Sequence, residues 1–364
     1  MELELLAFIK HNPDWKTILQ EKPYGITIKE KNGYILFMYS QIESDFKLSL
    51  VRECRGLILR EKDLKPVCMA FKKFGNYGES YVPDIDWSNV KVQEKADGSI
   101  IKLWFDNNEW HVSTNGTIDA SDASLSENSM LIDGCIYKNY SELFHSVFPQ
   151  NLYYDVLNID LCYIFELVSN FNRVVIPYNE TALYHIGTRN MKTLEELDID
   201  IGIKKPKLYN LTSLEEILEI VKKLPFNDEG YVILDKFWNR LKIKSLAYIS
   251  AHHLKNNGVV TKNRVLDMIR TGEQSEFLNY YPEYQEIFNE VQNKINKLLV
   301  SIEHDYILFK NRKFEDRKEM ALWVNQTVCP SAIYSLYDKK VSDVNSFVFG
   351  LTNERLLKMI GEKE

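Results

Sequence analysis

Lys95 stands just before Asp97-Gly98-Ser99, inside the stretch Val92-Gln93-Glu94-Lys95-Ala96-Asp97-Gly98-Ser99-Ile100-Ile101. A lysine attacks only as the neutral amine, so a nucleophilic role needs burial or a nearby cation to lower its pKa. Asp-Gly-Ser can bend the backbone tightly, with Gly98 free to take φ > 0, and can leave N–H groups facing a phosphate. Other groups suit the same chemistry. Lys242 and Lys244 alternate in Lys242-Ile243-Lys244-Ser245, so both point to one face of a strand. Glu166 sits inside the apolar run Ile164-Phe165-Glu166-Leu167-Val168, and Glu229 opens Glu229-Gly230-Tyr231-Val232. A carboxylate in an apolar strand is costly unless it meets a cation or a metal. Arg55, beside Gly56, is suited to a phosphate fork. Each residue alone also has a plainer reading: a hairpin lysine, an exposed lysine face, a buried ion pair, a surface ion pair. As a set they point to displacement at phosphorus, where cations neutralise the phosphates and carboxylates hold a metal.

The elements that must position these groups are mostly strands. Ile26-Thr27-Ile28 and Tyr34 to Tyr39 flank Asn32-Gly33, a strong hairpin signal. Val51 to Leu59 reads as a turn entering a buried strand. Met69 to Gly78 reads as an aromatic and basic loop. Ile100 to Phe105 and Trp110 to Ser113 form a hairpin around Asp106-Asn107-Asn108. Asp119 to Ser129 reads as a helix start or exposed loop, and Ser141 to Phe148 as a helix. Arg173 to Ile176 and Tyr184 to Gly187 read as strands, and Ser213 to Leu224 as an amphipathic helix closed by Pro225. The segment to about Glu21 reads as helical with a break at Asn12-Pro13. Beyond Ser245 the pattern changes. Eleven of 15 glycines and eight of 10 prolines precede it, and Ile287, Val291, Ile295, Leu298 and Ile302 then follow a helical spacing. The reading is therefore α+β: an antiparallel-sheet domain over residues 1–245, then a mostly helical domain over 246–364.

Composition sets the bounds. A chain of 364 residues is long enough for two or three domains. No run of about 18 apolar residues occurs, so no membrane span is expected. Met1-Glu2-Leu3-Glu4-Leu5-Leu6 lacks a basic start, so no secretory leader is expected. Five scattered cysteines form no Cys-x-x-Cys pair, which argues against a structural zinc site or a disulfide framework. A cytoplasmic setting is the simplest, that of the host cell if the source is viral. The net charge of −7 argues against coating nucleic acid by bulk electrostatics but leaves room for a local basic groove. Lys310, Arg312, Lys313, Arg317 and Lys318 form the densest basic cluster after residue 245. Mixed with Glu315, Asp316 and Glu319, it reads as a solvated helix face.

In order along the chain, Glu53-Cys54-Arg55-Gly56, Lys73-Phe74-Gly75-Asn76, Lys95-Ala96-Asp97-Gly98-Ser99, Phe165-Glu166, Asn172-Arg173-Val174-Val175-Ile176-Pro177-Tyr178, Glu229-Gly230-Tyr231-Val232 and Lys242-Ile243-Lys244-Ser245 resemble the motifs of one family. It is the phage-type RNA ligase family that repairs broken tRNA, the RNA ligase 1 type among the lysine nucleotidyltransferases. The resemblance implies an ATP-dependent enzyme joining a 5′-phosphate to a 3′-hydroxyl RNA end, with cleaved tRNA among the candidate substrates. It implies Lys95 as the nucleophile that takes AMP, and Lys242 and Lys244 as catalytic lysines that stabilise the α-phosphate and lower the pKa of Lys95. It implies Arg55, Lys73 and Glu94 as nucleotide-binding groups, and Glu166, Glu229 and Asp97 as ligands, partly through water, of Mg²⁺. Tyr231 or the Phe171 region would pack on adenine. The helical domain would choose the RNA.

One departure stands out: where family members tend to carry a lysine, this chain has Asn115. A DNA ligase, a capping guanylyltransferase and an inactive RNA-binding module are the alternatives.

Overall fold

A computed structural model describes residues 3–125, 131–132, 135–152, 157–253 and 260–362. The fold is α+β, and the chain divides into two compact units, residues 1–255 and 256–364.

Three antiparallel sheets carry the first unit. One orders its strands Ile26–Lys31, Tyr34–Tyr39, Arg55–Arg60, Pro66–Cys68. Its first hairpin closes at Asn32 (φ 52°) and Gly33 (φ 79°), as the Asn-Gly pair requires, with Lys31 opposite Tyr34. Leu36, Phe37, Leu57, Ile58 and Leu59 are fully buried in its core. Glu53 is buried too. Its carboxylate accepts from the N–H groups of Glu4 and Leu5, so it ties the start of helix Glu4–His11 to the strand that begins at Arg55.

The second sheet orders Glu196–Leu197, Ala182–Asn190, Leu161–Val168, Ser99–Asp106, Glu109–Thr114. Its central strands are buried on both faces, with Trp104, Tyr163 and Phe165 among the largest fully enclosed side chains. Helix Tyr140–Val147 packs Leu143 and Phe144 into the same core, close to the expected helix. The third sheet orders Leu208–Tyr209, Lys91–Glu94, Gly230–Leu234, Arg240–Lys244. Helix Leu214–Val221, capped by Ser213, covers it with Ile217 and Val221.

One sequence expectation changes here. Arg173 to Ile176 is not a strand: its amides at Val175 and Ile176 donate to the side chain of Asp97 instead of a neighbouring strand. Asp119 to Ser129 begins with a short 3₁₀ turn, Ala120–Asp122, and residues 126–129 of it lie outside the described residues.

Helix Leu246–His253, which follows the last strand, belongs to the first unit. Tyr248 is buried there with Val175 and Ile176. The second unit is built on a 27-residue helix, Gln285–Asn311, which buries Phe288, Val291, Ile295, Leu298 and Ile302. Shorter helices surround it, including Lys262–Thr271, Arg317–Val324, Pro330–Tyr337, Val344–Phe349 and Asn353–Met359. Among the described residues no helix is long and apolar enough to cross a membrane.

Candidate active site

Lys95 directly follows strand Lys91–Glu94. That strand pairs with Gly230–Leu234, and the Lys95 N–H donates to Gly230 O at 2.9 Å. The next residues cross to the second sheet, where Ser99 starts a strand paired with Leu161–Val168. Gly98 makes that crossing possible, though not by a positive φ. A Cβ there would stand 2.3 Å from Leu167 O, a backbone atom that cannot yield. Gly98 is therefore needed for close approach, and its N–H donates to Glu166 Oε1 at 3.2 Å.

Asp97 is spent on structure. Oδ2 accepts from Val175 N (2.9 Å) and Ile176 N (2.8 Å), and Oδ1 accepts from Tyr248 OH (2.9 Å). The residue is only 4 % exposed. Its own N–H donates to Tyr178 OH. Asn172 adds bonds to Ser99 Oγ and Leu167 O. The segment Asn172–Tyr178 is thus a brace for the lysine turn. Asp97, expected as a metal ligand, clamps this brace through three hydrogen bonds.

A cavity of about 310 Å³ opens beside Lys95. Arg55, Glu94, Glu166 and Lys242 line it, together with Asn115 and Phe74. Lys242 and Lys244 do share a strand face, because Leu241 and Ile243 turn into the core of the third sheet. Glu229 and Lys244 join the cavity through Lys95. Glu229 Oε1 lies 2.7 Å from Lys95 Nζ and 3.9 Å from Lys244 Nζ. Glu229 Oε2 is buried with no hydrogen-bond partner among the described residues. Glu166 is short of positive charge: burial pushes its carboxyl up to about 7, Lys95 opposes that, and the Glu229 charge adds to it.

Arg55 Nε and Nη1 are likewise buried without partners among the described residues, and the guanidinium lies 5.2 Å from the Phe74 ring centre. A half-buried arginine with enclosed, open donors fits an anion.

Lys73 is set apart from these groups. It lines an adjoining cavity of about 660 Å³, with its ammonium near the rings of Phe46 (4.9 Å) and Tyr39 (5.3 Å). Phe74 and Arg240 line both cavities. Tyr231 and Phe171 line neither. Tyr231 packs on Tyr209, and Phe171 on Tyr137. The aromatic walls at Lys95 are Phe71 and Phe74.

Two site residues gave no signal in the sequence. Arg240 stacks 3.8 Å over Phe71 and pairs with Glu196. Lys102 is fully buried and donates to Gly56 O, and burial lowers its pKa from the ordinary lysine value. Gly56 is held at φ +70°, and a Cβ there would strike Lys102 Nζ at 2.6 Å and Asn115 Cα at 2.8 Å. Lys102 and Asn115 thus flank the start of the strand that presents Arg55. Local sequence carries no hint of this, because the contact is between sheets.

Among the described residues no group of three or more His, Cys, Asp or Glu is clustered to hold a metal. The carboxylates that fit a cation are Glu166 and Glu229, one driven toward neutrality and one with an open oxygen.

Comparison with known proteins bears on the family of this chain. A family model described as RNA ligase matches residues 53–248. A protein of Autographa californica nuclear polyhedrosis virus, named as a bifunctional polynucleotide kinase/RNA ligase, is 28% identical over 359 residues, covering 93% of this chain and 50% of that one. The chain therefore spans about half the length of that relative. A protein of Rhodothermus phage RM378, named RNA ligase, is 27% identical over 343 residues, covering 74% of this chain and 76% of its own. An archaeal ATP-dependent RNA ligase structure aligns over 89% of each chain, with a TM-score of 0.44 and 14% identity. The match over residues 53–248 runs from the acid beside Arg55 to the tyrosine that holds Asp97, and on it this chain belongs to the RNA ligase family.

Proposed function

We propose that this chain is an ATP-dependent RNA ligase that works through Lys95. The observation that carries the reading is the setting of one amine. Lys95 Nζ stands beside a cavity of about 310 Å³ whose wall supplies Lys242 and Arg55, the latter with Nε and Nη1 unpaired among the described residues, and Glu229 lies at 2.7 Å. In the first step Lys95 Nζ attacks the α-phosphorus of ATP. The bond to the β-phosphate oxygen breaks, pyrophosphate leaves, and Lys95 loses a proton. Glu229 Oε1 is an acceptor for that proton and aims the amine. In the second step an oxygen of an RNA 5′-phosphate displaces Lys95 from AMP. In the third an RNA 3′-hydroxyl attacks the activated phosphate, and AMP departs. Each step is an in-line displacement, so position and charge carry most of the catalysis.

Lys242 and Lys244 steady the α-phosphate. Arg55 takes the phosphate oxygens, and Lys73, one cavity away, fits the outer phosphates. Glu94 borders the nucleoside, whose base meets Phe71 or Phe74. Glu166 and Glu229 would hold a divalent ion, Mg²⁺ being the best suited to two carboxylates and several waters, and it would neutralise phosphate charge.

Cleaved tRNA is the substrate the family resemblance favours. A reducing cytoplasm suits Cys54, Cys68, Cys162 and Cys329, all buried free thiols. The second unit would select the RNA.

The test is intact mass after incubation with ATP and Mg²⁺. One AMP should be added, and Lys95→Ala should abolish it. A GTP-specific adduct would favour a capping enzyme, sealing of nicked DNA a DNA ligase, and an adduct that survives Lys95→Ala would overturn the assignment.

A further inference from the structure

The second unit holds a cavity of about 1000 Å³, several times the size of the one at Lys95 and sharing no residue with it. The end of helix Gln285–Asn311, the start of helix Arg317–Val324 and the turn after helix Pro330–Tyr337 build it. The basic cluster that reads in sequence as a solvated helix face is folded here against aromatic rings. Tyr306, Phe314 and Tyr337 line the cavity, and Tyr337 is 53 % exposed although it packs edge-on against Phe309. Of the lining cations, Arg312 pairs with Glu319 and Lys340 with Asp338. Lys310, Arg317 and Lys339 have no carboxylate partner among the described residues. Asp316 is the acid in the wall, and it is occupied in capping helix Arg317–Val324 through Glu319 N.

Charge and backbone point the same way. Residues 306–342 contain seven Lys and Arg against four Asp and Glu, in a chain whose net charge is −7. Lys339 takes φ +55° just past the end of its helix, where Lys340 N closes back on Ser335 O. That left-handed position normally goes to glycine, and here a lysine occupies it. The turn thus presents a cation at the rim of the cavity.

Cations that follow a backbone and rings that stack on bases are the two requirements for holding an unpaired nucleic-acid strand. A duplex offers no open base face to rings like these. An acidic peptide would satisfy the lysines and leave the aromatic wall unused. We propose that this groove binds single-stranded RNA, with bases stacked on Tyr337 and Phe314 and phosphates met by Lys310, Arg317 and Lys339. The choice of RNA as the polymer rests on the ligase reading. The groove itself rests on its own residues.

Fluorescence anisotropy on the full chain tests this, with a labelled oligouridylate that lacks a 5′-phosphate and is blocked at its 3′ end, without ATP. Tyr337→Ala should weaken binding about 5- to 100-fold, the range for one lost stack. Lys339→Gly should flatten the dependence of log affinity on log salt by about 0.7 while leaving the melting temperature equal or higher, because glycine fits the turn. Both variants should take AMP at Lys95 as the parent does. Wild-type affinity in both variants would overturn the proposal. So would duplex RNA or poly-glutamate competing as well as the single strand, or oligothymidylate binding more tightly than oligouridylate. Failure of AMP transfer in the parent, with the binding losses intact, would remove the ligase reading and leave the groove standing.

Discussion

Lys95 Nζ and Glu229 Oε1 are 2.7 Å apart, and Glu229 is 4 % exposed. The same oxygen faces Lys244 Nζ at 3.9 Å, so one buried carboxylate balances two ammonium groups. Glu229→Ala should abolish AMP transfer and also lower stability, by about 2–4 kcal/mol, because it leaves two cations facing each other. Removing Lys95 as well should restore about 1–2 kcal/mol of that loss. Thermal or urea unfolding of both single variants and the double variant measures the coupling. Strictly additive losses would show that the pair does not interact.

Asp97→Asn separates a clamp from a metal ligand. The amide can no longer accept all three hydrogen bonds from Val175, Ile176 and Tyr248. Stability should fall by about 2–4 kcal/mol and AMP transfer should slow. The Mg²⁺ concentration giving half the rate should stay where it is. A many-fold rise in that concentration would put Asp97 back in the metal set.

Glu166 makes stability depend on pH. Burial raises its carboxyl from 4.5 to about 7, so the folded state binds the proton more tightly than the unfolded chain does. The free-energy cost therefore develops as pH rises from about 4.5 to 7 and is full above that. Glu166→Gln lacks this cost. It should be more stable than the parent at pH 8 by about 2 kcal/mol, allowing for water at the cavity mouth, and equal to it near pH 4.5. Mg²⁺ at pH 8 should raise the melting temperature of the parent and not that of the variant. Calorimetry at the two pH values decides it, and a variant less stable at pH 8 would refute the sign.

Gly98→Ala tests the crossing between sheets. Since Gly98 has an ordinary φ, the added methyl acts only by contact, 2.3 Å from Leu167 O. It should cost at least about 1–3 kcal/mol and displace Lys95 enough to suppress AMP transfer. Unchanged unfolding and unchanged adduct formation would mean that the two strands do not approach this closely.

Local signals were readable before the structure, and distant ones were not. Asn32-Gly33 and Asp106-Asn107-Asn108 declared their hairpins because a two-residue turn specifies its own conformation. The alternation of Lys242 and Lys244 showed their common face for the same local reason. The run Arg173-Val174-Val175-Ile176 had the composition of a strand and became a brace, because an acid 78 residues earlier takes the Val175 amide. Lys73 was expected among the nucleotide-binding groups and lines the adjoining cavity, since motif order says nothing of which wall a side chain joins. Lys102 lies in a hairpin strand whose sequence carries no sign of its burial. Its burial depends on the Gly56 carbonyl of another sheet. The groove beneath Tyr337 was hidden because its cations and rings come from three helices.

The partners of Asp97 arrive 78, 79 and 151 positions after it. During synthesis the turn that carries Lys95 therefore leaves the ribosome long before anything exists to hold it. Tyr248 closes the clamp only when nearly all of the first unit has been made. A nascent chain holds its lysine in a loose loop until Tyr248 has emerged, and the residues of the second unit are still to be made at that point. Closure of the clamp is thus timed by chain length.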